Sequence, residues 1–263
     1  MPAYLDTIIA AHRMLSEADR RDPDALLAEA GSQPPPRPFT EALVAAGSPT
    51  RLAVISEIKR RSPSKGDLDP DLDPGSVAKE YESGGAACLS VLTDREFFGG
   101  SPQDLEAARA ASSLPVLRKD FTVSVADVCD ARLMGADAVL LIVAALSHRE
   151  LSAFLAVAAQ LSMAALVEVH DGSELGRALD AGATLIGVNQ RDLHTFEVDP
   201  GLAASLRSRF PSGVVSVAES GIRGVDDAAR LAAAGYDAVL VGETLVRSGD
   251  RRAAVAELVG AHS

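Results

Sequence analysis

The chain has 263 residues, of which 47% are hydrophobic and 24% charged, with a formal charge of −12. That balance suits a globular protein with a large core, and it disfavours nucleic acid, whose binding rests on Lys and Arg displacing counterions. No apolar run approaches the ~20 residues a bilayer span needs, and the N-terminus lacks a basic-then-apolar leader pattern, so a cytoplasmic protein without membrane partners is expected.

About 50 residues precede the first strand pattern. In "YLDTIIAAHRMLSEADRR", Leu5, Ile8, Ile9, His12 and Leu15 fall on one side of an amphipathic helix. "GSQPPPRPF" then breaks the chain, because clustered prolines fit neither helix nor strand interiors, and "TEALVAA" resumes a short helix. Residues 1–50 read as a helical extension packed on a single domain spanning 1–263, since so short a segment cannot bury a core of its own.

From there, apolar runs bounded by turn signals predict eight strands: Leu52–Ile58, Cys88–Leu92, Val116–Leu117, Ala138–Val143, Ala165–Val169, Leu185–Val188, Val214–Ala218 and Ala238–Val241. The runs are continuous rather than alternating, as parallel strands covered on both faces require. Four share a lead-in, "SGGAACLSVLTD", "LMGADAVLLIVA", "DAGATLIGVNQ" and "AAGYDAVLVGE". In each, an Ala/Leu-rich helical stretch ends in Gly, the residue that takes a left-handed cap without penalty. Eight such β–α units predict a closed (β/α)₈ TIM barrel. The rival, an open doubly wound sheet, ordinarily carries G-x-G-x-x-G after its first strand, and none occurs. Cys88 and Cys129 sit in apolar runs and read as core thiols, and the histidines (His12, His148, His170, His194, His262) show no metal-ligand spacing.

Charge gathers where these strands end. Strand 1 leads into Glu57 and Lys59, strand 2 into Thr93 and Asp94, and strand 3 into Arg118, Lys119 and Asp120. Strand 5 gives Glu168 and His170, strand 6 Asn189, Gln190 and Arg191, strand 7 Glu219 and Ser220, and strand 8 Gly242 and Glu243; strand 4 ends blandly. The opposite strand ends read as Leu, Ala, Pro and Gly, so the charge is one-sided, as at the catalytic mouth of a barrel. The loop from Glu57 to Gly66 carries four cations against one anion, either a small-anion site or a solvated basic turn. Only four of 25 cations are Lys, and Lys59 and Lys119 stand at strand ends while Lys65 lies in that loop. Lysine can trade a proton where arginine cannot. With Glu57 and Glu168 from neighbouring odd strands, these lysines point to acid–base chemistry; structural pairing around a rim is the plainer alternative.

"EIKRRSPSKG", "LRKDF", "ALVEVH", "GVNQRDL" and "AESGI" follow in that order at strands 1, 3, 5, 6 and 7. Together they resemble the indole-3-glycerol phosphate synthase family of tryptophan biosynthesis, over the whole chain. The resemblance implies closure of 1-(o-carboxyphenylamino)-1-deoxyribulose 5-phosphate to indole-3-glycerol phosphate with loss of CO₂ and water, using no cofactor or metal. It implies Lys119 as a general acid, Glu168 in proton transfer, Lys59 at the substrate carboxylate with Glu57 as its partner, and Asn189 positioning the reacting groups. Phe98 and Phe121 would pack the aromatic ring, and Arg191, Glu219 and Ser220 complete the substrate-binding set. Ser62, Gly221, Gly242 and position 243 would build the phosphate pocket. There the chain departs from the family: Glu243 stands where Ser is frequent, so its carboxylate is expected to turn away from phosphate, and Gln190 stands where Asn is frequent. Related readings are a phosphoribosyl aminoketose isomerase, which would need Asp or Cys at the end of strand 1, a Schiff-base aldolase acting through Lys119, and a binding barrel without chemistry. A monomer or weak homodimer is expected.

Overall fold

The computed structural model describes residues 4–48, 51–193 and 195–261, so His194 and His262 lie outside the described residues. Eight parallel strands close into a barrel in chain order: β1 Ala53–Ile58, β2 Cys88–Leu92, β3 Val116–Lys119, β4 Ala138–Ile142, β5 Ala164–Val169, β6 Leu185–Asn189, β7 Val215–Glu219 and β8 Ala238–Val241. β8 pairs with β1, Ala53 opposite Ala238, and the ring is complete. The differences from the sequence reading are at the ends: β3 runs on through Arg118 to Lys119, and β6 and β7 include Asn189 and Glu219. The sequence places those polar and charged positions at or just past the strand ends, and backbone pairing continues under them.

Helices α1 Tyr4–Ala18, α2 Pro23–Gly31 and α3 Phe39–Ala46 precede the barrel. α2 was not foreseen; it starts at the cap Asp22, whose side chain accepts from the Asp24 N–H, with Pro23 in its first turn. The later helices are α4 Pro74–Ser83, α5 Pro102–Ala111, α6 Val125–Leu133, α7 His148–Gln160, α8 Gly172–Asp180, α9 Leu202–Leu206, α10 Val225–Ala233, α11 Glu243–Val246 and α12 Arg251–Val259. Side-chain caps set where several begin: Asp73, Ser101, Ser124, Ser147, Asp171 and Asp250 each accept from the first turn. The first βα loop folds into a small antiparallel ladder, Arg61–Ser62 with Gly66–Asp67, where only a loop was expected.

The repeated glycine lead-in has a single geometry. Gly85, Gly135, Gly182 and Gly235 all have φ between 87° and 94°. The next residue's N–H then bonds a carbonyl five residues back: Ala86 to Tyr81, Ala136 to Ala131, Ala183 to Ala178 and Tyr236 to Leu231. That is the left-handed cap closing a helix and aiming the chain at the next strand. α7 ends the same way, Met163 bonding Ala158, but its left-handed residue is Ser162 at φ 57°.

Two apolar layers result. Between strands and helices lie Val54, Val91, Val139, Val167 and Val239 against Leu105, Leu151, Leu175 and Leu231. Inside the barrel lie Ile55, Leu117, Leu140, Leu166, Val217 and Leu240. The N-terminal segment adds to this inner layer at both ends. Leu5 and Ile8 of α1 sit over the mouth, where they line its cavity. Phe39 and Leu43 of α3 sit where the strands begin, beside the small residues Ala53, Cys88, Ala138 and Ala238, and the Phe39 carbonyl accepts from the Cys88 thiol. Both cysteines are buried free thiols, as expected.

α1 departs from its helical wheel. Leu15 was expected on the buried side with Leu5 and Ile8, but it is 71% exposed, like Met14. The helix crosses the rim at His12, so only its first two turns cover the barrel. His12 bonds Asp94 at 3.0 Å and Arg13 bonds Glu150 at 2.9 Å. Burying Leu5 and Ile8 contributes about 1.5–3 kcal/mol each, against at most about 1 kcal/mol for an exposed pair such as Arg13–Glu150. Apolar contact therefore holds the helix down, and the polar contacts set its angle. The strand beginnings are also less bland than expected: Asp137, buried there, accepts from the backbone N–H groups of Arg37 and Val116 and pairs with Arg109.

The caps predict opposite responses. Ser162→Gly removes a strained side chain and should stabilise the protein by about 0.5–1 kcal/mol, while Gly182→Ala should cost about 1 kcal/mol. An added Cβ at Gly182 meets no atom within 4 Å, so backbone strain alone is at stake. Urea midpoints moving the same way in both variants would refute this account.

Candidate active site

Alternate residues of each strand face the barrel axis, and on the odd strands the last inward positions are Glu57, Lys119, Glu168 and Glu219. The Lys119 ammonium lies at the centre, 3.4 Å from Glu168 Oε2, 3.7 Å from Glu219 Oε2 and 4.0 Å from Glu57 Oε2. Even strands leave room for these groups. A Cβ at Gly187 on β6 would collide with the Glu219 carboxylate, and one at Gly242 after β8 with that of Glu57.

Each charged group has further partners. Lys59, one pleat above Glu57, bonds its Oε1 at 2.5 Å, and Ser90 of β2 donates to its Oε2 at 3.4 Å. Asn189 donates its amide to Glu168 Oε1 at 3.0 Å and accepts the Arg191 backbone N–H at 3.0 Å on its own oxygen, which fixes the amide's orientation. His170 Nε2 is 3.3 Å from Glu168 Oε1. Glu219 has less support: its Oε1 accepts no hydrogen bond among the described residues.

Burial and pairing pull these groups apart in proton affinity. Burial pushes the Glu57 carboxyl up, but Lys59 and Lys119 outweigh it and hold it below the ordinary range. Burial likewise opposes ionisation of Glu168, yet Lys119, His170 and Asn189 depress it strongly. Lys119 would lose affinity by burial alone, but the three carboxylates raise it above the usual lysine value. Glu219 goes the other way, raised by burial and then by Glu168, because Lys119 is shared three ways. The layer thus sets an ammonium of raised proton affinity and two carboxyls of lowered affinity beside one of raised affinity.

These groups floor a cavity of about 750 Å³, a size suited to a small molecule. Every site residue named from the sequence lines it: Glu57, Lys59, Ser62, Phe98, Lys119, Phe121, Glu168, Asn189, Arg191, Glu219, Ser220, Gly221, Gly242 and Glu243. Along one wall Phe98 and Phe121 stand 6.2 Å apart, joined by Leu5 and Ile8. Asp94 fixes that wall by accepting the Phe97 and Phe98 N–H groups. At another side, Ser220 and Gly221 both take left-handed conformations at φ 65° and 74°, held by Gln190 donating to the Ser220 carbonyl at 2.8 Å. Gln190 therefore braces the turn from behind.

Several lining residues were not singled out from the sequence. Arg223 and Arg247 join Lys65 around this turn, making three cations beside Ser62, Ser220 and Gly242. Lys65 was visible as one of the rare lysines, and Arg223 follows "AESGI" by one residue; Arg247 gave no local signal because α11 must form to deliver it. Glu243 sits among them, 3.9 Å from both Lys65 and Arg247, so its carboxylate faces these cations instead of turning out of the group. At the edge of the cavity, which Asp120 lines, His12, Asp94 and Asp120 come together although no spacing announced them. Asp120 already accepts from Arg118 and Thr93, and Asp94 from the Phe97 and Phe98 N–H groups. The donors at hand account for that cluster.

A buried carboxyl between two others costs stability once ionised. Glu219→Gln should stabilise the fold, and the gain should grow as pH rises from the ordinary glutamate value of 4.5 through the raised value of Glu219. Below that window both states carry the proton and the gain vanishes; above it the gain is expected to be at least about 1 kcal/mol. Urea unfolding at several pH values tests this, and a pH-independent difference would contradict it.

Comparisons with known proteins follow the same geometry. Residues 5–258 match the family model of indole-3-glycerol phosphate synthase. An enzyme of Streptomyces coelicolor, indole-3-glycerol phosphate synthase 2, is 54% identical over 231 residues, covering 88% of each chain. The indole-3-glycerol phosphate synthase of Chlorobium phaeovibrioides is 48% identical over 251 residues, 95% of this chain and 96% of that one. Among solved structures, thiamine phosphate pyrophosphorylase from Pyrococcus furiosus superposes with a TM-score of 0.60 at 18% identity, over 79% of this chain and 93% of that one, a likeness of fold.

Proposed function

The chain belongs to the indole-3-glycerol phosphate synthase family, and we propose how its residues divide the work of that carboxy-lyase reaction of tryptophan biosynthesis. The observation that carries the assignment is the Lys119 ammonium held among Glu57, Glu168 and Glu219 at the floor of the cavity.

The cavity is polarised along its length, and the substrate is polarised to match. Its phosphate goes to the Ser220–Gly221 turn, Gly242 and the cations Lys65, Arg223 and Arg247, with Ser62 from the first loop. Its aromatic ring goes to Phe98 and Phe121. The ring carboxylate then lies near Lys59, competing with Glu57 for that ammonium. The ketose carbonyl falls over Lys119.

Ring closure needs the ring carbon bearing the carboxylate to attack that carbonyl. Lys119 protonates the oxygen as charge develops on it, and a preorganised cation in a half-dry site is worth most at that moment. Loss of CO₂ returns the electron pair to the ring and restores its aromaticity. Dehydration then expels the new hydroxyl as water with a proton from a lysine, while Glu168 takes the proton from the adjacent carbon as the second ring double bond forms. Glu168 suits this role because Lys119 and His170 keep it ionised. Asn189 and Arg191 hold Glu168 and the substrate in register. Glu57 keeps Lys59 in place, and Glu219, carrying a proton, offers a hydrogen bond to a substrate oxygen.

We infer a monomer or a weak homodimer as the working unit. No helix of the described residues is long and apolar enough to cross a membrane, and the two buried free thiols accord with a reducing, cytoplasmic setting.

Because the chain has no Trp, indole fluorescence from product rises over a weak protein background. Purified protein given the carboxyphenylamino-deoxyribulose phosphate should produce that signal, and Lys119→Met should lower kcat by at least about 10²-fold. Full activity in the Met variant would remove Lys119 from the mechanism, and borohydride trapping of a substrate adduct would turn it into a nucleophile. At the phosphate end, Glu243→Ser frees Lys65 and Arg247 and should lower KM and tighten competitive inhibition by inorganic phosphate, with kcat little changed. Unchanged phosphate inhibition would place the phosphate elsewhere.

A further inference from the structure

His170 stands just past the end of β5 and does not line the cavity, yet its ring lies between two carboxylates. Nε2 is 3.3 Å from Glu168 Oε1, and Nδ1 is 3.1 Å from Glu174 Oε2. The same Glu174 oxygen accepts the His170 backbone N–H at 2.7 Å, so one carboxylate grips both the backbone and the ring of this residue. Glu174 is itself placed by the α8 cap, where the Asp171 side chain accepts the Ser173 and Glu174 N–H groups. A chain of fixed contacts thus runs from the start of α8 to the back of Glu168.

The two oxygens of Glu168 divide accordingly. Oε1 accepts the Asn189 amide at 3.0 Å and faces the His170 ring at 3.3 Å, an ion-pair distance without hydrogen-bond geometry, whereas Oε2 faces Lys119 at 3.4 Å. We propose that His170, held by Glu174, is a positioning residue that sets a positive ring behind Oε1 of Glu168, so that the carboxylate stays ionised with its other oxygen presented to Lys119 and the substrate as a base. This rests on the assignment of Glu168 as the proton-transfer group.

The surrounding charges support a cationic ring. Glu168 faces Lys119 from β3, Glu219 from β7 and Glu57 from β1, while His170 faces Glu174 from α8. The nearby arginines are engaged with backbone carbonyls, Arg177 with Val143 and Leu146, and Arg209 with Gly172. Burial would deprotonate His170, but Glu168 and Glu174 raise it to about 10. A positive ring behind Glu168 lowers the pH at which that carboxylate takes up a proton, and so extends activity toward acid.

The pH dependence of kcat in His170→Gln and His170→Asn tests the proposal. Removing the charge raises the proton affinity of Glu168, so the acid limb should move up by about one pH unit, with KM changed less than about twofold. A limb that coincides with that of the unaltered enzyme in the variants overturns it, since loss of packing alone would lower kcat at every pH. If neither variant folds, histidine NMR of the unaltered protein decides: the His170 ring should stay protonated through pH 8, and Glu174→Gln should bring its titration down. A ring titrating near 6.5 in the unaltered protein also overturns the proposal. Glu168→Gln separates the two levels. Full activity there refutes the base assignment itself, whereas an inactive Glu168→Gln beside an unmoved acid limb refutes only the part given to His170.

Discussion

One ammonium among three carboxylates organises this molecule. Lys119 is half-buried, and Glu57, Glu168 and Glu219 around it are buried. None of the four charges would be tolerated there alone, because an isolated ion loses several kcal/mol of solvation on burial. Three acids competing for one lysine leave the set unbalanced, and the protein corrects this with Lys59 beside Glu57 and His170 behind Glu168. What remains uncorrected is Glu219, whose carboxyl is pushed toward holding its proton. Different protonation states among chemically similar groups are what acid–base catalysis requires, and here crowding produces them.

The barrel explains how such crowding is possible without collapse of the fold. Only the last inward position of each odd strand is charged, and below it come Ile55, Leu117, Leu166 and Val217, an apolar layer that carries the stability. The even strands contribute glycine at Gly187 and Gly242, where any side chain would displace a carboxylate. Burial of the strands on both faces thus supports a costly polar layer placed where the βα loops converge. α1 adds a partial roof through Leu5 and Ile8, which restricts water around Lys119 and strengthens its interactions.

Much of this was legible in the chain. Continuous apolar runs marked eight strands, because parallel strands buried on both faces have no polar side to alternate with. Glycine marked four helix ends, because a left-handed cap admits it without strain. Charge at strand ends marked the mouth, and the scarcity of lysine singled out Lys59 and Lys119. The failures have equally local causes. Ser162 performs the glycine turn without being glycine, so the fifth cap was invisible. Leu15 fits the helical wheel but stands clear of the barrel, because periodicity says which residues share a face and not where the helix leaves its support. Arg223 and Arg247 look like surface cations until the last strands and α11 bring them to one side of the cavity.

The sequence alone determined the period, number and order of the strands and the chemical types at their ends, because hydrophobic pattern and backbone preference act over a few residues. Tertiary structure decided which charge meets which. Glu57, Lys119, Glu168 and Glu219 are separated by roughly 50 residues at each step, and only closure of the barrel brings them within 4 Å of one ammonium. The proton affinities follow from that closure, since they depend on burial and on distance, and neither exists in an unfolded chain. The same holds for His170. Its neighbours in sequence place it at a strand end, but its contact with Glu174 and Glu168 depends on how α8 begins against the barrel.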